Sequence, residues 1–255
     1  MRNNRFELVI VIPCYNEAKR FKLSAFESFL DDHPKVGILF VDDGSTDTTS
    51  KILGSFKTLF KSQVELISRS QNHGKAFSVK EGIGFLVNNG NTNKVAYIDA
   101  DLAVSLEECV AISNQMTDKI KCVFGSRINT ESNQIERKMY RFLIGRFVAN
   151  IISKMLQINI YDTQCGCKIF TNEIAALAFK EPFISKWLFD VEIFFRLIVT
   201  FGRKETITMI KEVPLKKWVD TPDSRVSLTY AFKLWIDLIK IQRTYKATLK
   251  KDQIR

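Results

Sequence analysis

Apolar and polar positions along this chain fall into long alternating blocks. Five apolar, β-branched runs, at residues 8–12, 36–41, 64–68, 95–98 and 122–125, recur about every 28 residues. Continuous apolar runs of that length predict strands buried on both faces, whereas a half-exposed strand would alternate with polar residues. The stretches between the runs are long enough for helices. The pattern therefore predicts an α/β fold, with βα units building a mostly parallel sheet flanked by helices. In such a sheet ligands bind at the carboxyl ends of the strands.

Each run ends in polar, turn-forming residues. Pro13, Tyr15 and Glu17 follow the first, and Asp42, Asp43, Gly44 and Ser45 the second. His73, Gly74 and Lys75 close the loop after the third, Asp99 and Asp101 follow the fourth, and Ser126 and Arg127 the fifth. All five loops fall on one edge of the predicted sheet. Ser105 and Glu108 have capping-box spacing, so a helix is expected just after the Asp99–Asp101 loop. Beyond residue 130 the pattern changes. It predicts a basic amphipathic helix over 137–156, a loop holding Asp162, Gln164, Cys165 and Gly166, a mixed region, and a final amphipathic helix over 228–249. No repeat, low-complexity tract or Pro/Gly linker intervenes. The expected organisation is one domain over 1–225, continuous with a basic helical segment over 226–255.

Composition and charge narrow the function classes. At 255 residues and 45% hydrophobic content the chain can bury a full core. Five cysteines, odd in number and scattered, and no apolar leader before the first run, favour a reducing cytosolic setting. Charges interrupt every apolar stretch before the roughly 18 to 20 residues of a membrane span. The net charge of +10 is localised: residues 225–255 carry eight basic and two acidic side chains, and residues 135–155 carry five and one. Both segments are apolar on one side and basic at intervals, with Trp235 and Tyr245 suited to a headgroup zone, and they match helices lying in an anionic membrane interface. Packing of the same faces on the sheet is the alternative. A nucleic-acid partner is not expected, since no recognised binding motif accompanies the charge.

Two carboxylates at i, i+2 after a buried strand, Asp99 and Asp101, suit a hard divalent cation such as Mg²⁺ or Mn²⁺ held against a diphosphate. Asp43 can accept from a base or a ribose, or cap a helix. Lys75 on a Gly turn suits a phosphate as a point charge. Asp190 and Glu192, in an aromatic setting beside Trp187, are either a functional pair or the acidic start of a buried helix.

Taken in order, Pro13 to Glu17, Asp42 to Ser45, Gly74-Lys75, Asp99-Ala-Asp101, Gly125-Ser-Arg127 and Asp162 to Gly166 resemble family 2 inverting glycosyltransferases. The motifs at residues 162–168, 187–192 and 224–227 are similar to those of dolichyl-phosphate β-glucosyltransferases. The resemblance spans about residues 6–245. It implies a GT-A fold binding a nucleotide sugar, with Pro13, Tyr15, Glu17 and Asp43 around the nucleoside and Lys75 near it or the diphosphate. Asp99 is then placed by the ribose and diphosphate, and Asp101 on the metal. Ala103 stands where related polyprenyl-phosphate mannosyl enzymes often carry Gln, which leaves the remaining coordination to donor oxygens and water. Gly145 stands where some relatives carry serine.

The chemistry follows independently. Expelling a nucleoside diphosphate builds charge on the leaving group that a cation and Lys75 can stabilise. A phosphate monoester acceptor, with a second pKa near 6, is already largely ionised. It needs cations to hold it, for which Arg127, Arg141 and Arg146 are candidates. A hydroxyl acceptor needs a base, for which Asp190 is the first candidate. The expected reaction is inverting transfer of a hexose, glucose from UDP-glucose, to a polyprenyl or dolichyl phosphate at the cytosolic membrane face. The alternatives are another nucleotide sugar such as GDP-mannose or UDP-GlcNAc, a hydroxyl acceptor, and a non-catalytic binder.

Overall fold

The computed structural model of the protein describes residues 6–90, 92–130, 133–136, 139–219 and 228–251. All five apolar runs are strands: β1 (Phe6–Cys14), β2 (Val36–Asp42), β3 (Val64–Ser68), β4 (Thr92–Ile98) and β5 (Cys122–Ser126). The short β6 (Gln134–Glu136) pairs in parallel with β9 (Lys217–Val219), apart from the main sheet. Two strands from the mixed region, β7 (Cys167–Thr171) and β8 (Ile210–Pro214), complete a seven-stranded sheet of order β3-β2-β1-β4-β7-β5-β8.

The strands are apolar throughout because both faces are covered. Ile10, Ile12, Ile38, Phe40, Ala96 and Ile98 pack with α1 (Leu23–Asp32), α2 (Thr49–Leu59) and α4 (Leu106–Ser113). Their neighbours Val9, Val11, Leu39, Val41, Val95 and Tyr97 pack in a second core. That core receives α3 (Lys75–Asn89), α5 (Met139–Leu156), α6 (Asn172–Ala178), α7 (Phe189–Met209) and α8 (Leu228–Lys251). The two-residue period of a strand sends successive side chains to opposite layers. Full burial of each Val, Leu, Ile or Phe side chain among them stabilises by roughly 1.5–3 kcal/mol. α4 starts where the capping box predicts, with Ser105 Oγ accepting from the Glu108 amide at 3.1 Å. α7 is broken at Gly202, whose φ is 77°.

β7 is antiparallel to both its neighbours, with Tyr97 opposite Lys168 and Ile98 opposite Cys167. The loop that precedes it therefore reaches the carboxyl edge of β4 and β5. This reversal brings residues 162–166 into the group of loops that follow the parallel strands.

Candidate active site

The loops after β1 and β2 are tied to each other. Asn16, at φ 52°, accepts at Oδ1 from the Thr46 amide at 2.8 Å. The Glu17 amide donates to Thr49 Oγ1 at 2.8 Å, and the Glu17 carboxylate takes the Nε and Nη2 of Arg20. Of the adjacent carboxylates after β2, Asp42 caps its own turn by accepting from the Ser45 amide and the Ser50 hydroxyl. Asp43 reaches across instead, accepting from the amides of His73 (3.0 Å) and Gly74 (2.7 Å). Gly44 sits at φ +70°, and a Cβ there would lie 2.6 Å from the Gln71 backbone, so the two loops touch main chain to main chain. Pro13 and Tyr15 are half-buried beside them.

Lys75 opens α3 and places its Nζ 2.5 Å from Asp99 Oδ1. Burial works against the ammonium, but Asp99, Asp190 and Asp101 outweigh it and hold the Lys75 pKa above its ordinary value. Asp101 Oδ1 accepts from the Ala103 amide at 3.0 Å in a turn whose middle residue, Leu102, has φ 53°. Gly166 lies against this loop, where a Cβ would come 2.2 Å from Asp99 Oδ2. Only a residue without a side chain fits between the loop before β7 and the Asp99 carboxylate. Among the described residues no group of three or more His, Cys, Asp or Glu side chains converges as a metal site. Asp99 and Asp101 are hard oxygen donors. They fit a divalent cation only if a ligand's phosphates and water complete its shell.

On the other side of Asp99, Arg127 follows β5 and forms a bidentate pair with Asp162, Nε to Oδ2 at 2.6 Å and Nη2 to Oδ1 at 2.8 Å. Burial would raise the Asp162 pKa, but the Arg127 charge and hydrogen bonds bring it down to about 2. The Asp162 and Tyr161 amides donate to the Glu212 carboxylate, which anchors the loop to β8. Arg146 stacks on the Tyr161 ring and donates to the Tyr161 carbonyl at 2.7 Å. Thus two of the arginines expected to grip a phosphate hold the loop before β7 instead. Arg141 lies on α5 with its side chain outside the described residues, as does the motif at 224–227.

Asp190, in the first turn of α7, is 3% exposed, and its Oδ1 accepts from the Tyr97 hydroxyl and from Lys168 Nζ, the latter at 2.5 Å. Glu192 faces elsewhere, accepting from the Ile184 and Ser185 amides and from Tyr245 on α8. The two carboxylates are therefore not a pair acting on one ligand. Sequence reasoning missed Lys168, Tyr97 and Arg20. A lysine within a short apolar run demands a buried counter-charge, and that signal was present in residues 167–171.

Residues 9–176 match the family model described as Glycosyl transferase family 2. The chain belongs to glycosyl transferase family 2. A dolichyl-phosphate beta-glucosyltransferase of Saccharomyces cerevisiae is 32% identical to it over 266 residues, covering 96% of this chain and 77% of the yeast protein. One from Trichomonas vaginalis is 29% identical over 254 residues, covering 94% and 72%. The human protein of that name is 29% identical over 205 residues, covering 74% and 62%. Among solved structures, mannosyl-3-phosphoglycerate synthase from Rubrobacter xylanophilus superposes with a TM-score of 0.65 at 15% identity, covering 97% of this chain and 75% of that one. Glucosyl-3-phosphoglycerate synthase from Mycobacterium tuberculosis, solved with UDP, gives 0.61 at 18%, covering 96% and 79%. The glycosyltransferase thus has the GT-A architecture, with the loops described above on the carboxyl edge of its parallel strands.

Proposed function

We propose that this glycosyltransferase moves glucose from UDP-glucose to a dolichyl or other polyprenyl phosphate, with inversion at the anomeric carbon, at the cytosolic face of a membrane. The observation that carries the acceptor assignment is the state of Asp190. Buried, and engaged by an ammonium and a phenol, it is poorly placed to take a proton from an acceptor hydroxyl. A phosphate monoester, with a second pKa near 6, needs no such base at neutral pH. The relatives' shared name, with its dolichyl phosphate and glucose, supports the same choice.

In this reading an acceptor phosphate oxygen attacks the anomeric carbon from the side opposite UDP. A new carbon–oxygen bond forms as the bond to the β-phosphate oxygen breaks, and the electron pair leaves with UDP. Pro13, Tyr15, Glu17 and Asp43 surround the nucleoside. Lys75 and Asp99 stand at the diphosphate, where Lys75 offsets the charge that develops on the leaving group. A divalent cation, held by Asp101 and Asp99, would supply further charge stabilisation when bound. A structural neighbour crystallised with Mg²⁺ and UDP supports that expectation. Arg127, its charge balanced by Asp162, shapes the acceptor side by holding the loop before β7, while Arg146, whose fork meets a carbonyl, and Arg141 supply positive charge to the acceptor phosphate. Asp190 positions; it does not abstract a proton.

The test is transfer by the full chain from UDP-glucose, GDP-mannose and UDP-GlcNAc to dolichyl phosphate or dolichol, with and without a chelator. We expect UDP release and a β-linked product with UDP-glucose and dolichyl phosphate, lost on chelation. Transfer to dolichol instead would overturn the acceptor assignment, and no turnover with any donor would overturn the whole reading.

A further inference from the structure

Lys168 is fully buried, at 0% exposure, as the second residue of β7. Its ammonium makes two contacts from there, to Asp190 Oδ1 at 2.5 Å and back along its own chain to the Cys165 carbonyl at 2.8 Å. A buried ammonium is costly unless paired and hydrogen-bonded, and this one is both. The register of β7 on β4 gives the contacts a consequence. Tyr97 lies opposite Lys168 and Ile98 opposite Cys167. One residue further, Gly166 meets Asp99 with no room for a Cβ. The carbonyl that Lys168 grips belongs to the residue just before that glycine. Asp99 in turn pairs with Lys75.

We propose that Lys168 is a positioning residue for the donor diphosphate. By clamping the Cys165 carbonyl and the Asp190 carboxylate it seats Gly166 against Asp99, and so fixes where Asp99 and Lys75 present their charges. The inference rests on reading Asp99 and Lys75 as the diphosphate end of the donor site. The Lys168 nitrogen joins the start of α7 to the loop before β7, and the end of β4 is tied to both through Tyr97 on Asp190 and Gly166 on Asp99. Buried partners that orient a site from behind typically change ligand affinity by about 10- to 100-fold when removed.

The test separates this role from that of a structural ion pair. In Lys168→Met/Asp190→Asn both buried charges are gone, so no unpaired charge remains and the thermal midpoint should stay close to wild type. Its affinity for Mn²⁺–UDP, read by calorimetry on the full chain, should nevertheless fall about ten-fold. The KM for UDP-glucose should rise while that for the acceptor phosphate does not move. A folded double variant with wild-type Mn²⁺–UDP affinity overturns the proposal and leaves Lys168 a structural pair. A wild-type protein that binds no nucleoside diphosphate overturns the donor-site reading and this inference with it. Where the double variant fails to fold, Lys168→Gln/Asp190→Asn, which also leaves no unpaired buried charge and has a side chain shorter than lysine towards the Cys165 carbonyl, is held to the same outcomes: weakened Mn²⁺–UDP binding supports the proposal and wild-type affinity overturns it.

Discussion

Individual side chains at the sheet edge make sharply different demands. Asp101 accepts from the Ala103 amide and carries the proposed metal contact, and Asp101→Ala is the variant that tests that contact. Turnover should fall about 100-fold or more, the scale of removing one pre-organised electrostatic group. Near-wild-type turnover would refute the assignment. Gly166→Ala acts by a different route, because its Cβ would enter the Asp99 carboxylate. Forced shifts of that kind cost roughly 1–3 kcal/mol. We expect weakened Mn²⁺–UDP binding in calorimetry, in a protein that still folds. The Arg127–Asp162 pair gives a pH dependence. The folded pKa of Asp162 is lowered to about 2, so its stabilisation is full above the unfolded value near 4 and is lost as pH falls towards 2. By linkage this amounts to about 2 kcal/mol. Chemical denaturation of wild type and Arg127→Met across that window should show the slope in the first and a smaller one in the second. Arg127→Met should also be less stable by about 3–5 kcal/mol at neutral pH, since it strands a buried carboxylate.

At the scale of elements, the five parallel strands were legible because each is a continuous apolar run closed by turn residues. The start of α4 was legible from Ser105 and Glu108. β7 was not, since Lys168 interrupts a run of only five residues and its counter-charge lies in α7, far along the chain. Strand direction was equally hidden. Periodicity gives the faces of a strand but not whether it runs with or against its neighbours, and the placement of residues 162–166 depends on that. The final helix was predicted within two residues of its observed end, but its partner was not. Tyr245, expected at a headgroup zone, stacks on Phe195 with centroids 5.3 Å apart and accepts from Arg196 Nε. Asp237 accepts from the Ser185 hydroxyl at 2.8 Å, in the segment leading into α7. The Ser185 oxygen still accepts from the Trp187 and Leu188 amides, so Asp237→Ala removes only the acceptor of its O–H and should destabilise by roughly 1 kcal/mol or somewhat more in urea unfolding. An unchanged midpoint would mean that α8 is not held to the domain through this bond.

At the scale of the whole molecule, exposed apolar side chains stand among the basic ones on the two helices that carry the charge excess. α5 and α8 approach each other at Phe147 and Trp235, whose ring centroids are 6.2 Å apart. Leu143, Phe147, Ile236 and Ile239 stay 41–62% exposed on these two helices, while Ile152, Leu156, Leu238 and Ile241 are buried. Packing on the domain thus accounts for one face of each helix, and the opposite, exposed face is the one on which the membrane expectation is to be tested. Among the described residues no helix is long and apolar enough to cross a membrane. If the protein docks peripherally, it should sediment with vesicles containing anionic lipid, weakly with neutral ones, and less as salt rises. Phe147→Glu/Ile239→Glu should abolish that binding, and equal binding of this variant would sink the docking face.

By itself the sequence determined the layers of the fold, the edge on which the polar loops gather and the two helices that carry the charge. These follow from local periodicity and turn residues. The tertiary structure alone decided how that chemistry is wired. It assigned Arg127 to Asp162, Asp190 to Lys168 and Tyr97, and Gly166 to Asp99, because each pairing joins residues from separate elements across a sheet whose one reversed strand no local pattern announces.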